Sequence, residues 1–285
     1  MLQFQDLTKR LVVASLLIAV IVVVLLFAYN PIVSWCVALA VCVFAATALW
    51  EFIQLTPLKH DKIFSSLVLV IGAVSILLFF LISRKMIPMR LAGALFLLGA
   101  YVIFLAQFKS LENGSTRIAF AFFALIYVVL PVALMLKILF AENLSVVWGI
   151  DGRLFLLFLL AVTKMTDVGA YFAGRSIGKK LLAPRLSPKK TWEGAIVGWV
   201  CAVITSLLLA FLFKLFFRAH FTYLSALILG AILGVFSQLG DLAESLFKRE
   251  AQVKDSNKLP GIGGVLDMVD SLLFTAPVLS VYLFL

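Results

Sequence analysis

The feature that most constrains this chain is a recurring apolar run. Stretches of about 17 to 25 residues, nearly free of charge, return along its whole length, each long enough to cross a bilayer as a helix. Nine are readable, at 11–28, 32–52, 63–83, 91–108, 118–139, 153–173, 194–217, 222–240 and 265–284. In hydrocarbon every backbone N–H and C=O needs an internal partner, and runs of this length meet that need as helices. The fold class read from the sequence is therefore all-α, a polytopic integral membrane bundle of about nine transmembrane helices. Hydrophobic residues form 64% of the 285 and charged residues only 13%, so a large soluble domain is excluded. Lys9 and Arg10 precede the first run, but no small-residue cleavage site follows it. It reads as a retained span rather than a signal peptide.

The charges that remain are unevenly placed. With the N-terminus inside, Lys59, Lys62, Lys109, Arg117 and two long basic loops, 174–193 and 241–264, all fall on one side, together with most of the 24 Lys and Arg residues. Arg84, Lys85 and Arg90 are the main exception. The positive-inside rule makes that side cytoplasmic, and the expected location is a bacterial inner membrane with the site facing the cytoplasm. A formal charge of +10 then reflects topology and contact with anionic headgroups or substrates. No basic patch interleaved with stacking aromatics occurs in a soluble segment, so nucleic acid is not an expected partner. Cys36, Cys42 and Cys201 lie inside apolar runs without disulfide or zinc spacing and read as small core residues.

Residues 1–150 read as scaffold and 151–285 as the catalytic transmembrane region. In the first part Pro31 reads as a turn and Pro131 as a helix kink. Trp50 and Glu51, at the end of the second run, read as a structural interfacial pair rather than a substrate site. In the second part, Asp167 interrupts an apolar helix beside Gly169 and Ala170. A carboxylate there needs a cation, a metal or a wet cavity, and Lys164 and Arg175 are the nearby cations. After it, Ser187, Lys189, Lys190 and Thr191 gather hydroxyl and ammonium donors suited to phosphate. The glycine pattern of a Walker A loop is absent.

The densest polar segment is Ser237–Asp270. On a helix Asp241, Glu244 and Lys248 share one face, with Ser245 and Arg249 beside them at i, i+4. Lys254 and Asp255 then precede Pro260, Gly261, Gly263 and Gly264, a turn that opens onto a helix bearing Asp267 and Asp270 at i, i+3. Glycines allow backbone to approach a ligand, and a following helix N-terminus favours an anion. Paired carboxylates near phosphate-binding cations fit one or two Mg²⁺ ions holding a nucleotide.

Ser245, Lys248, Arg249, Lys254, Asp255, Pro260, Gly261, Gly263, Gly264, Asp267, Asp270 and Ser271 together resemble the C-terminal motif of the phosphatidate cytidylyltransferase (CDP-diacylglycerol synthase) family. Upstream, the resemblance takes in Asp167, Gly169, Ala170 and Tyr171, and the run from Lys180 to Gly194. It covers residues 160–284 well; the front half matches mainly through its apolar character and the Trp50–Glu51 pair. The chain departs from the pattern twice, with Ile262 where the family usually has His and Met268 where it has Arg.

The resemblance implies CTP and phosphatidate as substrates, Mg²⁺ or Mn²⁺ as cofactor (one ion or two), and a homodimer. For that reaction the residues suggest Asp241 and Asp267 on the catalytic metal, with Asp270, Asp255 or Asp167 nearby as a second ligand or shell residue. Lys248, Arg249 and Lys254 would neutralise triphosphate and pyrophosphate, and Ser187–Thr191 would hold a lipid or nucleotide phosphate. The alternatives are a CTP-dependent transferase acting on an isoprenoid lipid, and a transporter or scaffold. No inverted repeat supports transport.

Overall fold

The computed structural model describes residues 20–108, 113–253, 256 and 264–285. Among them eight helices are long and apolar enough to cross a membrane: α1 (Pro31–Gln54), α2 (Lys62–Ser83), α3 (Met89–Gln107), α4 (Gly114–Leu139), α5 (Gly152–Ile177), α6 (Trp192–Phe217), α7 (Tyr223–Glu250) and α8 (Val265–Phe284). Residues 20–27 are also helical, and the rest of the first expected span lies outside the described residues. The chain is thus an all-α polytopic membrane protein. Leu97, Leu105, Ile126 and Ile204 are each about 60% exposed. In water so much apolar surface would drive aggregation, whereas in a bilayer it meets lipid tails.

Helix starts follow capping chemistry. Asn30 accepts from the amides of Ile32 and Val33 at 3.0 and 3.4 Å, with Pro31 at the first helical position, where its missing N–H costs nothing. Pro31 thus starts α1. Asp61 caps α2 by accepting from Phe64 N at 3.0 Å, and also pairs with Arg117 at 2.8 Å. Pro131 follows a π-helical turn, Leu125–Val129, within α4. A proline cannot donate to the preceding turn, and a widened turn is a common accommodation.

Three expectations need correction. The stretch 241–264 was expected as a loop, but α7 continues to Glu250. The apolar run ends near Gly240, yet helix persists because its acidic and basic residues fall on compatible faces. The stretch 174–193 is not all loop: α5 runs to Ile177, and a two-stranded hairpin follows, β1 (Leu181–Ala183) and β2 (Ser187–Thr191). The three cysteines are free, and Cys36 faces outward rather than into a core.

The chain divides into two compact units, Met1–Leu136 with Asp255–Met268, and Lys137–Lys254 with Val269–Leu285. In the first, Phe52 and Phe123 pack on Tyr127 with ring centroids 5.2 and 5.5 Å away. In the second, small residues bring α5 and α6 together. A Cβ on Gly198 would lie 2.7 Å from Thr166 O, and one on Gly194 2.7 Å from Ala170 O. Close backbone approach of this kind is how helices associate where lipid offers no hydrophobic drive. Ser206 Oγ on α6 donates to Ala226 O on α7 at 2.9 Å, and Thr163 on α5 meets Thr275 on α8 at 3.1 Å.

Candidate active site

The second unit gathers its polar residues around Asp167. This carboxylate sits within the span α5, and its surroundings offset the cost of placing it there. Its Oδ1 accepts from Ser237 Oγ on α7 at 3.3 Å and from Ser271 Oγ on α8 at 3.2 Å. Its Oδ2 pairs with Lys164 at 3.2 Å, so of the two cations expected beside it Lys164 is the partner. Arg175 instead donates to Tyr171 Oη. Three helices converge on one carboxylate in this way, as a charge near hydrocarbon requires. Ser237 was not expected as a partner of Asp167, although it opens the polar segment Ser237–Asp270.

The hairpin closes over the same region. Leu181 lies opposite Thr191 and Ala183 opposite Ser187. Glu193 pins its entrance by accepting from Lys179 N at 3.0 Å and Lys180 N at 3.2 Å. Thr191 ends the hairpin and caps α6, its Oγ1 accepting from Gly194 N at 3.2 Å. A Cβ on Gly178 would come 2.7 Å from that same Oγ1, so glycine is needed where the chain leaves α5. Arg249 Nε donates to Leu186 O at 3.1 Å, tying the hairpin tip to the end of α7.

Between hairpin and helices lies a cavity of about 500 Å³, lined by Asp167 and Asp241 and by Arg175, Lys189 and Lys190. Thr191 and Gln238 add neutral polar groups to the wall. The volume falls in the range of small-molecule sites. Across it, Lys190 Nζ meets Asp241 Oδ2 at 2.6 Å. Acidic and basic walls facing one cavity suit a polyanion that binds together with a cation. The structure thus brings Asp167, Asp241, Lys189, Lys190 and Thr191 to one place.

Asp270 is a third carboxylate of this unit, 7% exposed, with Ser271 N donating to its Oδ1 at 2.6 Å. The charges of Asp241, Asp167 and Lys164 all act on it. Gly240 lets α7 lie directly on α8 at this point, since a Cβ there would be 2.5 Å from Asp270 O. Carboxylate oxygens are the donors a hard divalent cation takes. Among the described residues, however, no three His, Cys, Asp or Glu side chains form a ready-made metal cluster. The donor chemistry fits a metal, and the ammonium of Lys190 holds Asp241 in this arrangement.

The other expected site residues are placed differently. Lys248 forms an ion pair with Glu244 at 2.8 Å, with Glu244 only 1% exposed. Ser245 is half-buried, one turn beyond Asp241. Ser187 opens β2. In the first unit, Asp267 Oδ2 accepts from Gly264 N at 2.8 Å and its Oδ1 from Ser256 N at 3.4 Å. An acidic third residue reaching back to the amide that precedes the helix is the reciprocal half of a capping box. Lys254, Asp255, Gly261, Ile262 and Gly263 lie outside the described residues.

The phosphatidate cytidylyltransferase of Chlamydia muridarum is 33% identical over 291 residues, covering 96% of this chain and 91% of that protein. That of Chlamydia trachomatis is 34% identical, with 96% and 91% covered. That of Haemophilus influenzae is 45% identical over 138 residues, 47% of this chain and 46% of that protein. The model of the cytidylyltransferase family matches residues 8–285. The chain belongs to the cytidylyltransferase family, whose shared chemistry is nucleotidyl transfer.

Proposed function

We propose that the protein transfers a cytidylyl group from CTP to phosphatidate, giving CDP-diacylglycerol and pyrophosphate, with a divalent metal and on the cytoplasmic side of a bacterial inner membrane. The observation that carries this reading is the cavity in which Asp167 and Asp241 face Arg175, Lys189 and Lys190. Relatives named phosphatidate cytidylyltransferase, matched over nearly their full length, support the choice of substrates. Residues 1–150 serve as scaffold and 151–285 carry the chemistry.

A phosphate oxygen of phosphatidate attacks the α-phosphorus of CTP. The bond from that phosphorus to the bridging oxygen breaks, and pyrophosphate leaves with the electron pair. The nucleophile is already ionised near neutral pH, so no general base is needed. That accommodates Ile262 and Met268 in place of the family's His and Arg. What the reaction requires is compensation of converging negative charge. Lys189, Lys190 and Arg175 supply it from the protein, while Thr191 and Gln238 orient phosphate oxygens. Asp241, Asp167 and Asp270 would hold Mg²⁺ or Mn²⁺, and such an ion supplies Lewis-acid stabilisation of the phosphates. Asp267 serves chiefly to cap α8. The acyl chains stay in the lipid, so the substrate is never extracted.

Reconstitution in vesicles with labelled CTP tests this directly. Formation of a CDP-lipid that depends on both phosphatidate and divalent metal is expected. Solute movement without any CDP-lipid, or product only with an isoprenoid acceptor, overturns the assignment. Within the same assay, Lys190→Met should raise the KM for CTP about 10-fold or more, the scale of one charge-assisted phosphate contact. An unchanged KM removes Lys190 from the nucleotide site.

A further inference from the structure

Glu51 lies in the last turn of α1 and is 0% exposed. Three of its partners lie more than 200 residues away. Oε1 accepts from Val265 N at 3.1 Å, and Oε2 accepts from Leu266 N at 2.8 Å and from Ser256 Oγ at 2.9 Å. Val265 and Leu266 are the first two residues of α8, and the amides of a helix's first turn have no acceptor within the helix. Asp267 takes the amide of Gly264, immediately before them. Two carboxylates from different parts of the chain therefore satisfy three consecutive donors. The partial positive charge of a helix start adds to the attraction.

This arrangement exceeds what capping alone requires. A local Ser, Thr or Asn would cap the start of α8 acceptably, as Asn30 and Thr191 do for α1 and α6. A buried carboxylate delivered from α1 adds two acceptor oxygens to the first turn of α8, the helix on which Asp270 follows one turn beyond Leu266. A cavity wall of small polar contacts tolerates slight rotation of α8, but metal-holding oxygens do not.

We infer that Glu51 is a positioning residue for the reaction, holding the start of α8 so that Asp270 meets the metal in register. The inference rests on the function proposed above. Glu51→Gln replaces one acceptor oxygen by a donor, setting an NH₂ group against at least one N–H or O–H that it formerly accepted. Glu51→Asp keeps the charge but shortens the reach.

The test has two readouts. Without metal, hydrogen–deuterium exchange of a peptide spanning 264–272 should speed up in Glu51→Gln by about 10-fold or more, the scale of leaving buried donors unpaired. Peptides from α5 and α6 should keep wild-type protection. In the vesicle assay, the Mg²⁺ concentration for half-maximal rate should rise about 10-fold with KM for phosphatidate unchanged, and Glu51→Asp should recover part of the loss. Ser256→Ala, which leaves the helix amides bonded, should give the same two changes at about 2- to 5-fold. It decides the matter if Glu51→Gln does not accumulate as folded protein. Wild-type exchange and metal dependence in whichever variant folds overturn the inference. An inactive wild type overturns instead the function on which it rests.

Discussion

Asp241→Ala should lower the rate of cytidylyl transfer by about 10²- to 10³-fold, the scale of losing a principal electrostatic contact in the transition state. Asp241 lines the cavity and is bonded to Lys190 at 2.6 Å. Removing it has two effects of opposite sign on substrate. On the proposed function a bound metal would lose a ligand, which slows chemistry. The ammonium of Lys190 loses its internal partner, which leaves it freer to bind triphosphate. The expected signature is therefore a large fall in kcat with little rise, or even a fall, in the KM for CTP. A purified, folded Asp241→Ala enzyme with a wild-type rate ends the assignment. A loss expressed only in KM shows that Asp241 acts on binding and not on the transition state.

Gly240→Val should be damaging although the residue bears no functional group. The atoms its Cβ would meet are Asp270 O at 2.5 Å and Ser271 Cα at 3.0 Å, both backbone, so neither can rotate aside. Overpacking of this kind costs about 1–3 kcal/mol. Helix propensity pulls the other way by a few tenths of a kcal/mol, since Val is a better helix former than Gly. The contact is the larger effect, and α7 must shift away from α8 beside Asp241 and Asp270. A displacement of about 1 Å can cost 10²-fold in rate. Gly93→Val is the control, because nothing lies within 4 Å of a Cβ there. Thermal unfolding in detergent should show a lowered midpoint for the first variant and none for the second. Equal midpoints and equal rates refute the claim that backbone contact sets the carboxylate spacing.

Much of the fold was legible because apolar runs of bilayer length have few alternatives. The eight spans from α1 to α8 match runs visible in the sequence, within a few residues at most ends. The continuation of α7 to Glu250 was less visible, since hydropathy reports where the lipid ends and not where the helix ends. The hairpin of β1 and β2 was hidden for another reason. Five residues reading Ser–Pro–Lys–Lys–Thr carry no alternating pattern, and their pairing depends on Glu193 holding the amides of Lys179 and Lys180. At the site, Asp167 stood out as a charge inside an apolar helix, and Asp241, Lys190 and Thr191 through the charged and donor-rich stretches that hold them. Ser237 and Gln238 open the same polar segment but carried no signal of their own, because neutral residues at the end of a span are common. The bond from Glu51 to Val265 spans 214 positions, and nothing in either neighbourhood names the other.

That separation also has a consequence in time. A ribosome adding about 5–20 residues per second makes Val265 roughly 10–40 s after Glu51. Throughout that interval α1 is already synthesised, while the amides that will receive its carboxylate do not yet exist. An ionised side chain stranded in mid-bilayer for so long would oppose insertion of its own helix. Glu51 stands in the final turn of α1, three residues before Gln54. From there it reaches interfacial water by extending along the helix axis. The position that later serves α8 is also one where a carboxylate can wait.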